Sequence, residues 1–293
     1  MDVICIGNLN FDIRFHLSEM PGAHQKLRCD NTTFSCGGSA GNTACWLASL
    51  GVRTGIVGAV GNDAFGKAQI EELSHYNVDT THVNQIGQSG IAVILVEGET
   101  KRMIKYTGAN KYKKIDEYLL KSSHVHLSSN EKDVMEKVIN ICQDRDVTLS
   151  WDPQELFFEE LVTSFDYVFI NEDDLKRTTG VNEIEGAAKT LESNTLIVTK
   201  NGGGCVIFGD TVHDISSFNI EAVDTTGAGD AFDAGFIFGL QRKLDVEECG
   251  ILGVACSSIK VQHYNARGGI CDIHGLEAFL QKHNICMKLQ KME

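Results

Sequence analysis

The segment Asp224-Thr225-Thr226-Gly227-Ala228-Gly229-Asp230 leads into an apolar run to Leu240 that has helical spacing and no proline. A glycine-rich turn that opens a helix aims several backbone N–H groups at one point, and the helix dipole adds positive charge there, so an anion is stabilised. The turn ends, however, in a carboxylate, which repels a bound phosphate unless it has a task of its own. Asp230 is suited to take the proton of a hydroxyl while the N–H groups of Gly227, Ala228 and Gly229 receive the charge that develops on a phosphoryl group. That chemistry is phosphoryl transfer to an alcohol. The plainer reading, a helix start with glycines for the turn and an acid for the dipole, stays open for this segment taken alone.

Two earlier segments offer partners for an alcohol. Cys36-Gly37-Gly38-Ser39-Ala40-Gly41-Asn42-Thr43-Ala44 leads into a helical pattern ending at Leu50. Paired glycines let a substrate approach the backbone, and Asn42 in the first helical turn is expected to present a free amide to a hydroxyl. A tight packing corner before a small-residue helix is the competing reading. Upstream, Gly7-Asn8-Leu9-Asn10-Phe11-Asp12 carries Asn10 and Asp12 on one side, because alternate residues of an extended chain face the same way. An amide and a carboxylate side by side grip a polyol; both residue types also serve in ordinary turns.

These groups lie far apart in the chain and need a scaffold that gathers its loops. Short apolar runs at 3–6, 54–59, 124–127, 147–150, 167–170 and 196–199 are of buried-strand type and alternate with helical patterns such as 64–76, 131–142 and 245–262. That order predicts an α/β fold: a doubly wound, mostly parallel sheet flanked by helices, with ligands beyond the carboxyl ends of the strands. Two segments break the pattern. Ile91 to Val96 and Lys101 to Tyr106 read as two strands, with Glu97-Gly98-Glu99-Thr100 as a hairpin turn, and a further extended stretch follows the first strand. Residues 11–35 and 88–109 are therefore expected to form a small β-sheet lid inserted in a single domain over 1–293. A lid excludes water that would compete for the phosphate. Edge strands of the main sheet are the alternative.

Composition narrows the partners. The formal net charge of -14 argues against a nucleic-acid duplex or an anionic membrane as partner, since either requires a basic face, so a polyphosphate must be held locally by N–H groups and a metal. No stretch is apolar for long enough to span a bilayer, and the start lacks a basic leader, so a cytoplasmic location is expected. The ten cysteines include no C-x-x-C pair and read as small buried residues in a reducing compartment, not as a zinc site. With only Pro21 and Pro153, and with no repeat, nothing resembles a linker.

The two glycine segments and the Asn10–Asp12 pair together resemble the ribokinase-like (PfkB) carbohydrate and nucleoside kinases over nearly the whole chain. Gly37, Gly38 and Asn42 match the early Gly-Gly-x-x-x-Asn signature and Asp224 to Asp230 the late D-T-x-G-A-G-D signature. Gly61 to Gly66, Gly108-Ala109-Asn110 and Asn171-Glu172-Asp173-Asp174 are further matches. The resemblance implies that Asp230 is the general base beside an anion hole of Gly227, Ala228 and Gly229. It implies acceptor ligands at Asn10, Asp12, Gly37, Gly38, Asn42 and Asn110. Asn171 and Asp174 match the family's N-x-x-E, which orders magnesium and its waters indirectly, with Asp174 one methylene shorter than the usual Glu. ATP is implied as donor, near Thr199, Asn201, Gly202, Gly204 and Ser258, with Asn201 where the family has glycine. Asp224 and Thr226, with the 265–269 loop, match a site for a monovalent cation such as K+, and a homodimer through the lid is implied as well.

The resemblance implies a small-molecule sugar or nucleoside as acceptor. Asn10 beside Asp12 favours a ribose-type sugar, because each buried hydroxyl left unpaired is costly. A nucleoside would need an aromatic surface for its base, with Phe11, Phe15, Trp46 and Tyr106 as candidates. A sugar phosphate would use Arg14, Arg28, Lys101, Arg102 or Lys105 of the lid strands. A non-catalytic sugar or nucleotide sensor on the same fold is the alternative from another class.

Overall fold

β1 (Val3–Gly7) is buried at every residue. Val3 and Cys5 join one hydrophobic core and Ile4 and Ile6 the other, so a strand whose alternate residues point to opposite faces divides the interior in two. The structure is a computed structural model and describes residues 1–98, 100–287 and 289. After β1 come β2 (Asn10–His16), β3 (Asn31–Gly37), β4 (Thr54–Val60), β5 (Val83–Gln85), β6 (Gly90–Glu97), β7 (Thr100–Tyr106) and β8 (His124–Ser128). β9 (Thr148–Asp152), β10 (Tyr167–Asn171), β11 (Thr195–Lys200), β12 (Gly204–Phe208) and β13 (Val212–Ile215) complete the strands. The helices are α1 (Ser39–Ser49), α2 (Ala64–His75), α3 (Lys132–Cys142), α4 (Glu172–Thr179), α5 (Ile184–Ala188), α6 (Ala228–Gln241), α7 (Val246–Val261) and α8 (Ile273–Lys282).

Nine strands form one sheet in the order β13-β12-β11-β10-β9-β8-β1-β4-β5. Neighbours from β5 to β11 run parallel, and β12 and β13 add an antiparallel end. Residues of α1, α6, α7 and α8 fill the core on one face, and those of α3, α4 and α5 the core on the other. The fold is thus doubly wound. From β1 the chain goes outward to β4 and β5, then returns to place β8 on the far side of β1, and ligands bind where such an order reverses. α7 begins with a capping box, Asp245 accepting from Glu248 N–H and Glu248 from Asp245 N–H, which explains a sharp start at that acidic cluster.

β3, β2, β6 and β7 form a separate four-stranded sheet, parallel between β2 and β6 and antiparallel at both outer pairs. The lid segments are therefore a sheet of their own and not an edge of the main one. Their hairpin joins β6 to β7, with Glu99 of the expected turn outside the described residues. Phe11 stacks on Phe65 of α2 with ring centroids 4.3 Å apart, which ties the base of this sheet to the body. Among the described residues no helix is long and apolar enough to cross a membrane, and all ten cysteines are free.

Candidate active site

α6 opens without a side-chain cap. Its N-cap, Gly227, sits at φ 79°, and a Cβ there would press on the carbonyl oxygen of Ala266, so both conformation and space demand glycine. The N–H of Ala228 donates to Thr225 O at 3.1 Å, and the helical ladder begins with Ala231 N–H to Gly227 O at 3.0 Å. Among the described residues the N–H groups of Gly227, Gly229 and Asp230 have no partner, as helix starts leave them. A Cβ added at Gly229 would meet nothing within 4 Å, so this cradle opens into free space.

Two cavities meet there. One of about 320 Å³ and one of about 650 Å³ share Asn171, Asp174, Thr199, Thr225, Ala228 and Gly229 as walls. The smaller runs under the lid past Asn10, Asp12, Gly38, Asp152 and Asp230, and the larger past Gly202, Gly204 and Ser258. Asn8, Ser129, Asp152, Asn171 and Thr199 stand at or just beyond the carboxyl ends of β1, β8, β9, β10 and β11.

Asp230 is 6% exposed and accepts from Asn42 Nδ2 at 2.7 Å. Asn42 Oδ1 in turn accepts from Arg267 Nε at 3.0 Å. Asn42 therefore orients Asp230 with one of its two amide N–H groups while its oxygen is held by a guanidinium, and the residue also lines the smaller cavity. Burial raises the Asp230 carboxyl above its ordinary value, against the hydrogen bonds from Asn42 and Ser39.

On the acceptor side Asn10 and Asp12 both face the smaller cavity. Asp12 is pushed up to about 6 by burial, with Arg267 and Arg14 opposing. Gly38, at φ 90°, lines the cavity, whereas Gly37 does not; a Cβ at Gly37 would occupy the place of the Asp12 carboxylate. Asn110 also lies behind the cavity, donating to Asn10 Oδ1 at 2.7 Å and accepting from Leu9 N–H at 2.8 Å. It holds Asn10 and is not itself open to a ligand. None of the four aromatic candidates walls this cavity: Trp46 is fully buried in the core, Phe11 stacks on Phe65, and Tyr106 lines a different groove on the lid. Of the basic lid residues, only Lys105 lines it, paired with Glu155 at 2.6 Å.

On the other side, Asn171 caps α4, its Oδ1 accepting from Asp174 N–H and its Nδ2 donating to Asp174 Oδ2, each at 2.8 Å. The remaining oxygen of Asp174 pairs with Arg177 at 2.7 Å. No group of three or more acidic, His or Cys side chains arranged for a metal occurs among the described residues. A lone, already paired carboxylate fits a magnesium ion through water, not by direct coordination. Asn201 does not adopt the positive φ that its place in the turn suggested; Gly202 (φ 67°) and Gly204 (φ 83°) do so, and Asn201 donates to Asp173 at 2.9 Å.

The expected monovalent-cation ligands do not fit such an ion. Asp224 Oδ2 is held by Arg14 at 2.6 Å, Thr226 Oγ1 accepts from the same guanidinium at 2.7 Å, and Lys101 Nζ lies 3.2 Å from Asp224 Oδ1. Burial works against ionisation of Asp224, but the hydrogen bonds from Thr226 and Arg14 outweigh it and hold the carboxyl below the usual range. A carboxylate so saturated has no lone pair to offer potassium.

Sequence reasoning does not single out Ser39, Asp152, Gln154 or Asp233, all of which line the smaller cavity. Gln154 has φ 51° and donates to Ser39 Oγ, to Asp152 Oδ2 at 3.2 Å and to Asp230 Oδ1 at 3.4 Å. Two signals pointed there: Asp152 ends an apolar strand at the ligand-bearing edge, and Asp233 falls one helical turn after Asp230. Burial and then the Asp230 charge push Asp152 up to about 7. For a base that must be ionised, turnover rises with pH as these carboxyls lose their protons. Asp152→Asn removes a like charge beside Asp230 and is expected to move the acid limb of the kcat profile to lower pH. A limb that stays in place would separate Asp152 from the titration of the base.

Comparison with known proteins places this site in context. The family described as pfkB family carbohydrate kinase matches residues 1–272. An ATP-dependent ribose-1-phosphate kinase of Halopiger xanaduensis is 29% identical over 279 residues, covering 90% of this chain and 93% of its own. A ribokinase of Lactococcus lactis is 28% identical, covering 97% and 98%. The solved ribokinase of Arabidopsis thaliana, complexed with ribose and ATP, superposes with a TM-score of 0.88 at 24% identity and covers 96% of this chain and 98% of that one. At that identity it speaks for the fold.

Proposed function

The chain belongs to the pfkB family of carbohydrate kinases, and from that footing we propose that it transfers the terminal phosphoryl group of ATP to the primary hydroxyl of a ribose-type sugar. One observation carries the reading: Asp230, with the unpaired amides of Gly227 and Gly229, stands where a sugar-sized cavity meets a larger one. An alcohol entering from the smaller side meets a carboxylate able to take its proton, and a phosphate entering from the larger side meets amides and a helix dipole. Asn10 and Asp12 orient the sugar hydroxyls. Thr199, Gly202, Gly204 and Ser258 wall the nucleotide side, and Asp174 would hold, through water, a magnesium ion that would neutralise triphosphate charge.

A free sugar is preferred over a nucleoside because none of the four aromatic candidates reaches the acceptor cavity, and the aromatic residue that lines it, Phe169, is 2% exposed and packed in the core. A phosphorylated ribose is the second reading, supported by Lys105 on that cavity and by the likeness to the Halopiger protein. Release of ADP, followed over free pentoses, ribose 1-phosphate, hexose phosphates and nucleosides, is expected to give its highest kcat/KM with a free pentose and values about 100-fold lower with nucleosides. A nucleoside or sugar phosphate at the top of that order would overturn the acceptor assignment. No release with any of them would overturn the kinase.

A further inference from the structure

The turn that carries the anion hole rests on charged groups buried beneath it. Lys260, in the last turn of α7, is fully buried, and its ammonium donates to the main-chain oxygens of Asp224 at 2.8 Å and His263 at 3.0 Å. Backbone N–H groups of Val223 and Asp224 both donate to Val261 O, so the end of α7 and the start of the turn are bonded together. A helix C-terminus favours a cation at this place. From the lid side Arg14 clamps Asp224 and Thr226, and Asn265 N–H closes on Asp224 Oδ2 at 3.1 Å. A buried ammonium is costly unless its hydrogen bonds and a counter-charge compensate, and here carbonyl oxygens and the Asp224 carboxylate do both.

The cavity on the other side of the turn has a need for positive charge. Asp12, Asp152, Asp230 and Asp233 all face it, and their field opposes the approach of a polyphosphate. Arg14, Lys101 and Lys260 set three cations against the single Asp224 charge at the start of the turn that bears the amides. Side chains bonded to the loop can hold its shape and polarise its peptides as a bound ion would.

We propose that the ammonium of Lys260, with the guanidinium of Arg14, is the resident cation of the anion-hole turn, so that this chain transfers phosphate without a bound monovalent ion; its catalytic part rests on the phosphoryl-transfer reading. Burial lowers the Lys260 pKa to about 8, with Asp224 opposing, which leaves the group charged at neutral pH.

Two comparisons on the unaltered protein test this. Thermal denaturation in potassium and in tetramethylammonium chloride at about 0.1 M is expected to give Tm values within about 1 °C, since an ion that binds only the folded state raises Tm. A potassium-specific rise of several degrees would overturn the proposal, and this arm needs no acceptor. Turnover in the same two salts is expected to agree within about twofold, whereas activation by potassium of about tenfold or more would overturn it. Lys260→Met is expected to lower turnover about 10-fold or more in tetramethylammonium and to regain part of it when potassium is added. Wild-type turnover in that variant without potassium would overturn the role of the ammonium. Should the variant not fold, the two comparisons on the unaltered protein decide. Failure of all ADP release would retire the kinase reading and leave the thermal comparison to judge the cation.

Discussion

Asp230→Asn is expected to fold normally, to bind ATP at least as tightly as the parent does, and to lose about a thousandfold in kcat. The amide is the size of the carboxylate and can still accept from Asn42, whose Nδ2 lies 2.7 Å from Asp230 Oδ2. What it lacks is a lone pair basic enough to receive the alcohol proton. The three unpaired amides and both cavities stay as they are and one charge that repels phosphate is gone, so nucleotide affinity by calorimetry should hold or tighten while turnover collapses. The substitution also removes a charge from a buried cluster that includes Asp152 and Asp233, whose pKa values burial and mutual repulsion raise. Stability is therefore expected to hold or to rise slightly. A variant with near-parental kcat would show that Asp230 is not the base.

Arg267→Met is expected to have the largest effect on stability, with a loss of about 3 kcal/mol and a fall in Tm on the order of 5–10 °C. The guanidinium is 6% exposed and reaches four acceptors at once: Asn42 Oδ1, Glu72 Oε1, the carbonyl of Gly37 and Gln69 Oε1, at 3.0 to 3.2 Å. Methionine fills the stem but strands all four groups. Because Asn42 is the link between Arg267 and Asp230, kcat is expected to fall about 10-fold or more as well. Arg267→Lys separates charge from geometry: one ammonium cannot span four acceptors set for a planar fork, so it should recover little of either loss. Parental Tm and kcat in Arg267→Met would sink this account of how the base is held.

Much of this architecture is legible in one dimension. The run 3–6 reads as a buried strand because a strand covered on both faces needs apolar residues at every position, and β1 is that strand. The lid hairpin is readable from two strand-like stretches around Glu97-Gly98, but the alternating burial of Ile91 to Ile94 is not, because every residue there is apolar. The short edge strand β5 and the antiparallel β12 and β13 are less so. β5 spans only Val83–Gln85, and the glycine turn before β12 looks like a nucleotide loop before it looks like half of a hairpin.

At the site the division is sharper. Gly227, Gly229 and Asp230 could be assigned to one turn because a helix start gathers consecutive residues, and local geometry follows from local sequence. Asn42, Asn110, Asp224 and Thr226 each bear the right chemistry for a ligand contact, yet the folded chain gives Asn42 to Asp230 and Arg267, Asn110 to Asn10, and the last two to Arg14. Arg14 and Asp224 are 210 positions apart, Lys260 meets the Asp224 carbonyl from the end of another helix, and Arg267 meets Asn42 across 225 positions. Hydrogen-bonding capacity is a property of the residue and can be read from the sequence. Its spending is decided by which distant group arrives first within 3 Å, and only the packed sheet, lid and helices determine that.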